Sequence, residues 1–113
     1  MSKKNSIQSA PPFEVDQALK RLGANLRTAR LARNLSIEAA AQKIGVGYRA
    51  VASAEAGKPS TSTGVYLGLM WAYGLLSQAD DLVDPARDEV ALRALRTRAH
   101  AYPTTKGALD NDF

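Results

Sequence analysis

The sequence has no cysteine and only one histidine, His100, among its 113 residues. Without thiols it cannot form a disulfide framework, a thiolate zinc site or an iron–sulfur cluster, and one imidazole does not make a histidine-rich metal site. Long apolar runs are also missing. The longest, residues 66–76, is about half of what spans a bilayer, and none follows the first lysines as in a secretory signal. We therefore expect a cytoplasmic protein with no metal, no cofactor and no membrane contact.

Proline and glycine are few, with five and eight residues, and 45% of the chain is hydrophobic against 23% charged. This composition is typical of one globular domain. The net charge of +4 is uneven, because residues 1–33 hold seven Lys and Arg against two acidic residues, whereas residues 75–113 hold five against seven. A basic face for a polyanion would explain the asymmetry, although many small basic proteins bind no nucleic acid.

Apolar residues recur at intervals of three and four, and no stretch alternates as a strand does. The pattern therefore predicts an all-α fold of five or six helices. A long first helix covers residues 13–33. Caps and glycines enclose the next two, because Ser36 and Gly47 are suitable N-caps and Gly45 and Gly57 are suitable stops.

Three more helical segments are predicted in the second half of the chain. Ser62 or Thr63 caps a fourth helix that Gly74 ends. The Ser-x-x-Asp spacing that begins at Ser77 is that of a capping box, which predicts a brief fifth helix. Asp84 precedes a proline and opens a sixth helix. Four segments follow: a flexible basic arm at 1–12, a helical domain at 13–83, a helical extension at 84–100 and a flexible tail at 101–113.

Residues 36–57 carry the most informative pattern. Two short helices that cross at a steep angle need a small residue at the crossing, a glycine able to adopt positive φ, and an apolar residue that returns to the core. Ala41, Gly45 and Val51 meet these needs in this order. The stretch resembles the helix-turn-helix of the lambda-repressor-like (Cro/cI, XRE) family, and the resemblance extends from about Leu22 to Leu82.

The resemblance implies a DNA-binding protein whose third helix enters the major groove. Arg49 is the strongest candidate for base reading, because a guanidinium donates two hydrogen bonds to guanine. It also implies an ion pair between Arg30 and Glu55, mainly structural, with Arg30 able to reach the DNA as well. The alternative for Tyr48 and Arg49 is an exposed helix face without a role. The base-reading candidates are Gly47, Tyr48, Arg49, Ala52 and Ser53. The phosphate candidates are Arg30, Ser36, Lys43, Lys58 and Ser60.

The sequence departs from the family pattern at three positions. Ile37 and Ala56 replace polar residues that often contact the DNA backbone, and Ala54 replaces a larger apolar residue of the core. The missing polar residues at Ile37 and Ala56 motivate an alternative in which the helix-turn-helix is mainly a scaffold for a protein-binding antitoxin or adaptor. Met70 and Trp71 are interpreted as core or dimer surface, and not as a ligand site.

Residues 71–95 resemble, more loosely, the HipB-like antitoxins that accompany HipA-type kinase toxins. That resemblance implies a homodimer that represses its own operon and restrains a kinase, with Phe113 as a candidate anchor for the partner. The leading hypothesis is a homodimeric, sequence-specific repressor of double-stranded DNA. We expect no enzymatic activity, because the chain has no glycine-rich phosphate loop and no carboxylate pair suited to acid–base work.

Overall fold

The computed structural model describes residues 6–101, with side chains to residue 99, and within this range it is helical and has no strand. The all-α prediction is confirmed. The first five residues of the predicted basic arm, the tail from residue 102 and its candidate anchor Phe113 lie outside the described residues, as does the side chain of His100. The helices are α1 (Ser6–Ser9), α2 (Phe13–Ala32), α3 (Ile37–Ile44), α4 (Tyr48–Glu55), α5 (Thr63–Ala72), 3-10 helices at Leu76–Asp81 and Pro85–Arg87, and α6 (Glu89–Ala101).

Helices α2 to α5 all end in the same way, with a left-handed residue that closes a Schellman motif. The left-handed residues are Asn34, Gly45, Gly57 and Gly74, with φ between 55° and 74°. At the end of α3, for example, the Val46 N–H donates to the Ala41 carbonyl and the Gly45 N–H to the Gln42 carbonyl. These ends confirm the stops that the sequence predicts. Each motif turns the chain within two residues, and α3 and α4 are therefore joined by a connection of only three residues.

Gly23 and Gly57 allow the end of α4 to lie directly on the backbone of α2. A Cβ at Gly23 would lie 2.5 Å from the carbonyl oxygens of Ala54 and Glu55, and one at Gly57 would lie 2.6 Å from the Leu19 oxygen. No real Cβ approaches so closely, so both positions require glycine. We call this contact, formed at Gly23 and Gly57 between α2 and the end of α4, the glycine seam. The Ala54 side chain is fully buried there. The smaller residue noted in the sequence is therefore matched by a closer approach of the two helices.

The core of the first compact unit, residues 1–79, is small and rich in alanine. Among its described residues, only Leu69 and Val51 are large side chains with essentially no exposed surface. Tyr66 and Tyr73 of α5 are also buried, whereas Trp71 is largely exposed. The core residues are Leu26, Ala40, Ala41, Val51, Ala54, Tyr66, Leu69 and Tyr73. Three of the eight are alanine, so close backbone approach adds to the packing of the larger side chains.

The predicted fifth helix is present, but its predicted start and N-cap are wrong. Residues 76–81 form a 3-10 helix, and the Gln78 N–H donates to the Leu75 carbonyl. Because the 3-10 helix begins at Leu76, Ser77 lies inside it and cannot act as the N-cap of a capping box. The first twelve residues also differ from a wholly irregular arm, since Ser6–Ser9 form one helical turn.

The predicted sixth helix is divided into two pieces in the second compact unit, residues 80–113. Asp84 does accept a hydrogen bond from the Ala86 N–H, but it caps only the 3-10 turn Pro85–Arg87. Asp88 is extended, which ends that turn, and its carboxylate accepts from the N–H groups of Val90 and Ala91 to open α6. Two aspartates therefore cap two successive helices. Of the described helices, none is long and apolar enough to cross a membrane.

We predict that Gly23→Ala lowers the free energy of unfolding by about 1 to 3 kcal/mol, because its methyl group would collide with the end of α4. Gly64→Ala is the matched control, since the nearest atom to its Cβ would be the Ser62 hydroxyl at 3.8 Å. There the better helix propensity of alanine should raise stability slightly. Urea unfolding followed by far-UV circular dichroism measures both. Equal changes in the free energy of unfolding would contradict the close approach of α2 and α4 at Gly23.

Candidate nucleic-acid interface

Helices α3 and α4 form the crossing that the sequence pattern predicts. Ser36 caps α3, its hydroxyl oxygen accepting a hydrogen bond of 3.0 Å from the Ala39 N–H. Ala41 is buried, Gly45 has φ 70°, and Val51 of α4 is fully buried. The small residue, the turn glycine and the returning apolar residue therefore each have the environment that the motif requires. Burial of Val51 fixes which face of α4 points outward.

The outward face of α4 begins with two long side chains, Tyr48 and Arg49. Half of the Tyr48 surface is exposed, and Arg49 is exposed and has no ion pair or hydrogen bond within the described residues. Ala52 and Ser53 lie one turn further along and are half-buried. Gly47 is the N-cap of α4 with φ −80°, so no left-handed conformation requires a glycine there. The exposed end of α4 thus carries one free guanidinium.

Arg49 lines two adjoining concave surfaces. One lies between α4 and the connection to α5, where Ser53, Ser60 and Ser62 surround it. The other runs along α4 past Ala52 to Lys58. The structure therefore brings together Arg49, Ala52 and Ser53 from the predicted base-reading set and Lys58 and Ser60 from the predicted phosphate set. The resulting surface is basic and rich in hydroxyl groups.

A tyrosine holds the connection between α4 and α5, and sequence reasoning missed this role. The Tyr66 hydroxyl donates to the Lys58 carbonyl at 3.1 Å, and the Thr61 N–H donates to the same oxygen. Burial raises the pKa of Tyr66, so it remains a neutral donor. Ser62 then caps α5 by accepting from the Val65 N–H. Lys58 and Ser60 are therefore presented by an ordered loop.

Arg30 and Glu55 form the predicted ion pair, which joins α2 to the end of α4. Arg30 Nε lies 2.6 Å from Glu55 Oε2 and Nη2 lies 3.0 Å from Oε1, a bidentate arrangement. Nη1 donates to the Leu35 carbonyl at 2.8 Å. The side chains are only 8% and 7% exposed. The hydrogen bond to Glu55, more than the charge of Glu55, raises the pKa of Arg30, and burial opposes it.

This geometry corrects one predicted contact. Arg30 was expected to reach a DNA phosphate as well as Glu55, but its guanidinium is buried and is bound to Glu55 and Leu35. Three of its five N–H groups donate within the protein and the side chain is only 8% exposed, so little of it can meet a phosphate. Ser36 and Lys43 of α3 are exposed but do not line the two surfaces around Arg49. They remain separate candidates on α3.

Arg33 makes a second contact that sequence reasoning missed. Its Nε donates to the Tyr73 carbonyl at 3.1 Å, and its guanidinium carbon lies 5.8 Å from the centroid of the Tyr73 ring. The end of α5 is thereby fastened to the end of α2. The basic cluster at the end of α2 was the available signal, but a sequence does not show which arginine meets which helix.

The two departures from the family pattern have different environments. Ile37 is half-buried and packs against the core, so it replaces a surface contact with an apolar one. Ala56 is exposed at the C-cap of α4 and lines the surface between Arg49 and Lys58. Neither position offers a polar side chain to DNA. Contacts to the backbone would therefore depend on Lys58, Ser60 and the residues of α3.

Comparison with known proteins agrees with this geometry. A family model described as a helix-turn-helix domain, of the Cro/cI/XRE-like type, matches residues 21–84. No curated protein and no solved structure matches the chain. The narrower resemblance to HipB-like antitoxins is not confirmed by this match and stays a prediction.

We predict that Glu55→Gln lowers the free energy of unfolding by about 3 to 5 kcal/mol, because it leaves the Arg30 charge buried without its partner. Glu89→Gln removes the same charge from the Glu89–Arg93 pair, whose side chains are 85% and 74% exposed, and should change stability very little. Chemical denaturation compares the two. Similar losses in both variants would show that the buried pair does not hold α4.

Proposed function

Because the chain belongs to a family of helix-turn-helix domains, we propose that it is a sequence-specific DNA-binding transcriptional regulator. The free guanidinium of Arg49 on the outward face of α4 is the observation that supports this most directly. α3 would lie across the DNA backbone and the first turns of α4 would enter the major groove. In this proposal the protein acts by binding alone and catalyses no reaction.

Base reading would be concentrated at the start of α4. Arg49 can donate two hydrogen bonds to O6 and N7 of a guanine, and Tyr48 can contact a thymine methyl or a phosphate. Gly47 and Ala52 are small, so they allow close approach without side-chain hydrogen bonds, and the Ser53 hydroxyl can donate to or accept from a base edge. We therefore expect a short recognition site in which one guanine dominates.

Phosphate contacts would come from both sides of α4. Lys58 and Ser60 are exposed on the ordered loop beside Arg49. Lys43 and Ser36 are exposed on α3, where the N-terminal N–H groups also favour a phosphate. The expected result is affinity that falls as salt increases, because bound counterions are released from the DNA.

The finer proposal is a repressor that acts as a homodimer. Two identical modules would bind half-sites about one helical turn apart, so the operator would be an inverted repeat. The DNA upstream of the protein's own gene is the first operator to test, because the looser HipB-like resemblance implies autoregulation.

A second candidate function is that of an antitoxin or adaptor that binds a HipA-like kinase. The exposed Ala56 and the half-buried Ile37 favour it, since they remove two polar contacts from the DNA-facing side. Retention of a purified HipA-like kinase by an Arg49→Ala variant that has lost DNA selectivity would support it. Loss of both activities together would contradict an independent protein-binding role.

We predict that Arg49→Ala reduces the discrimination between upstream DNA and a scrambled duplex of equal composition by about 1 to 3 kcal/mol. Fluorescence anisotropy at low and moderate salt measures it. Arg27→Ala is the matched control, because it removes the same charge from an exposed position on α2. It should lower both affinities alike and leave their ratio unchanged.

Two results would contradict the proposal. One is a wild-type protein that binds both duplexes equally, which would make the helix-turn-helix a scaffold. The other is selective binding that does not weaken at higher salt, because phosphate contacts would then be lacking.

A further inference from the structure

The segment of residues 80–99 has no buried residue among its described side chains. It nevertheless carries large apolar side chains, of which Val90 is 74% exposed and Leu95 48% exposed. A helix as short as α6 is marginally stable in water unless an apolar face is covered. The apolar side chains of this segment therefore lack a covering partner among the described residues.

One face of α6 is apolar and has small residues at its centre. Val90 and Ala94 are four residues apart, as are Ala91 and Leu95, so the four side chains form two adjacent rows. Glu89 and Arg93 lie on the opposite side of the helix and pair with each other at 3.4 Å. The alanines would allow another helix to approach closely between the two large side chains.

The charges of the segment are divided between its ends. Residues 80–89 contain five acidic residues and one arginine, whereas residues 90–99 contain three arginines and no acidic residue. Two such segments side by side in parallel would place acidic end beside acidic end. In the antiparallel orientation each acidic end meets a basic end, which is the self-complementarity that a two-fold interface requires.

We propose that α6 is the dimerisation helix, and that it pairs antiparallel with α6 of a second copy of this chain. A two-fold axis level with the midpoint between Leu92 and Arg93 keeps each row on its own side of the interface, so Val90 packs beside the partner's Ala94 and Ala91 beside the partner's Leu95. Arg98 continues the same face and extends toward the acidic end of the partner. This inference deepens the proposed function, since it names the interface of the proposed dimer.

The first test is the oligomeric state of the full chain without DNA. Sedimentation velocity over a range of concentrations should show a dimer, and the double variant Val90→Ser, Leu95→Ser should raise its dissociation constant at least about tenfold. Val83→Ser is the control, because Val83 is 93% exposed in the same unit but lies outside α6. Circular dichroism checks that each variant keeps its helices.

Three results would overturn the inference. The wild type could be monomeric at every concentration. The double variant could dimerise as the wild type does. Finally, Trp71→Ser, which alters an exposed residue of α5, could dissociate the dimer while the double variant leaves it intact, and this would assign the interface to α5.

The orientation has its own test, which the cysteine-free sequence makes simple. Ala94→Cys and Arg98→Cys variants are each treated alone with a short bifunctional maleimide. In an antiparallel pair the two copies of Ala94 lie about 5 Å apart along the helices and cross-link, whereas the two copies of Arg98 lie about 16 Å apart and do not. Equal cross-linking of the two variants would overturn the antiparallel arrangement. A monomer that keeps Arg49-dependent binding to DNA would refute this inference and leave the proposed DNA binding intact. A stable dimer without DNA selectivity would do the reverse.

Discussion

The buried contact between Arg30 and Glu55 is the constraint on which the helix-turn-helix depends. One guanidinium binds the end of α4 through two hydrogen bonds and the α2–α3 turn through a third, at the Leu35 carbonyl. The Leu35 N–H in turn donates to the Arg30 carbonyl. Three elements therefore meet at one residue, and α4 keeps its direction relative to α3 because both are tied to α2. Hydrogen bonding to Glu55 raises the pKa of Arg30 above its ordinary value, so the guanidinium stays charged.

Close backbone approach supplies what the alanine-rich core lacks in volume. Gly23 and Gly57 let the last turn of α4 lie against α2, and both sites exclude even a methyl group. The ion pair lies at the same end of α4, so the polar contact and the glycine seam act on one turn of helix. The opposite end of α4, with Tyr48 and Arg49, is outside this contact and is free to meet a ligand.

Local signals in the sequence predicted the helices well, and pairings between helices poorly. The stops at Gly45, Gly57 and Gly74 and the cap at Ser36 depend on a few neighbouring residues, so they can be read from the chain. The Arg30–Glu55 pair came from the family resemblance, and no local pattern required it. The seam at Gly23 and the bond from Tyr66 to Lys58 join distant residues and were missed. In the C-terminal segment two aspartates compete as caps, and the sequence alone favoured the first, Asp84, over Asp88, which opens α6.

The division of α4 into an anchored end and an open end has a consequence for how such a protein changes over time. Val51, Ala54 and Glu55 carry the packing and the ion pair, whereas Arg49 contributes to neither. Substitutions at the open end therefore alter recognition at little cost in folding, and substitutions at the anchored end do the opposite. If the domain reads DNA as proposed, two or three surface positions would be enough for a lineage, or an engineer, to change the sequence that it binds while the scaffold stays unaltered.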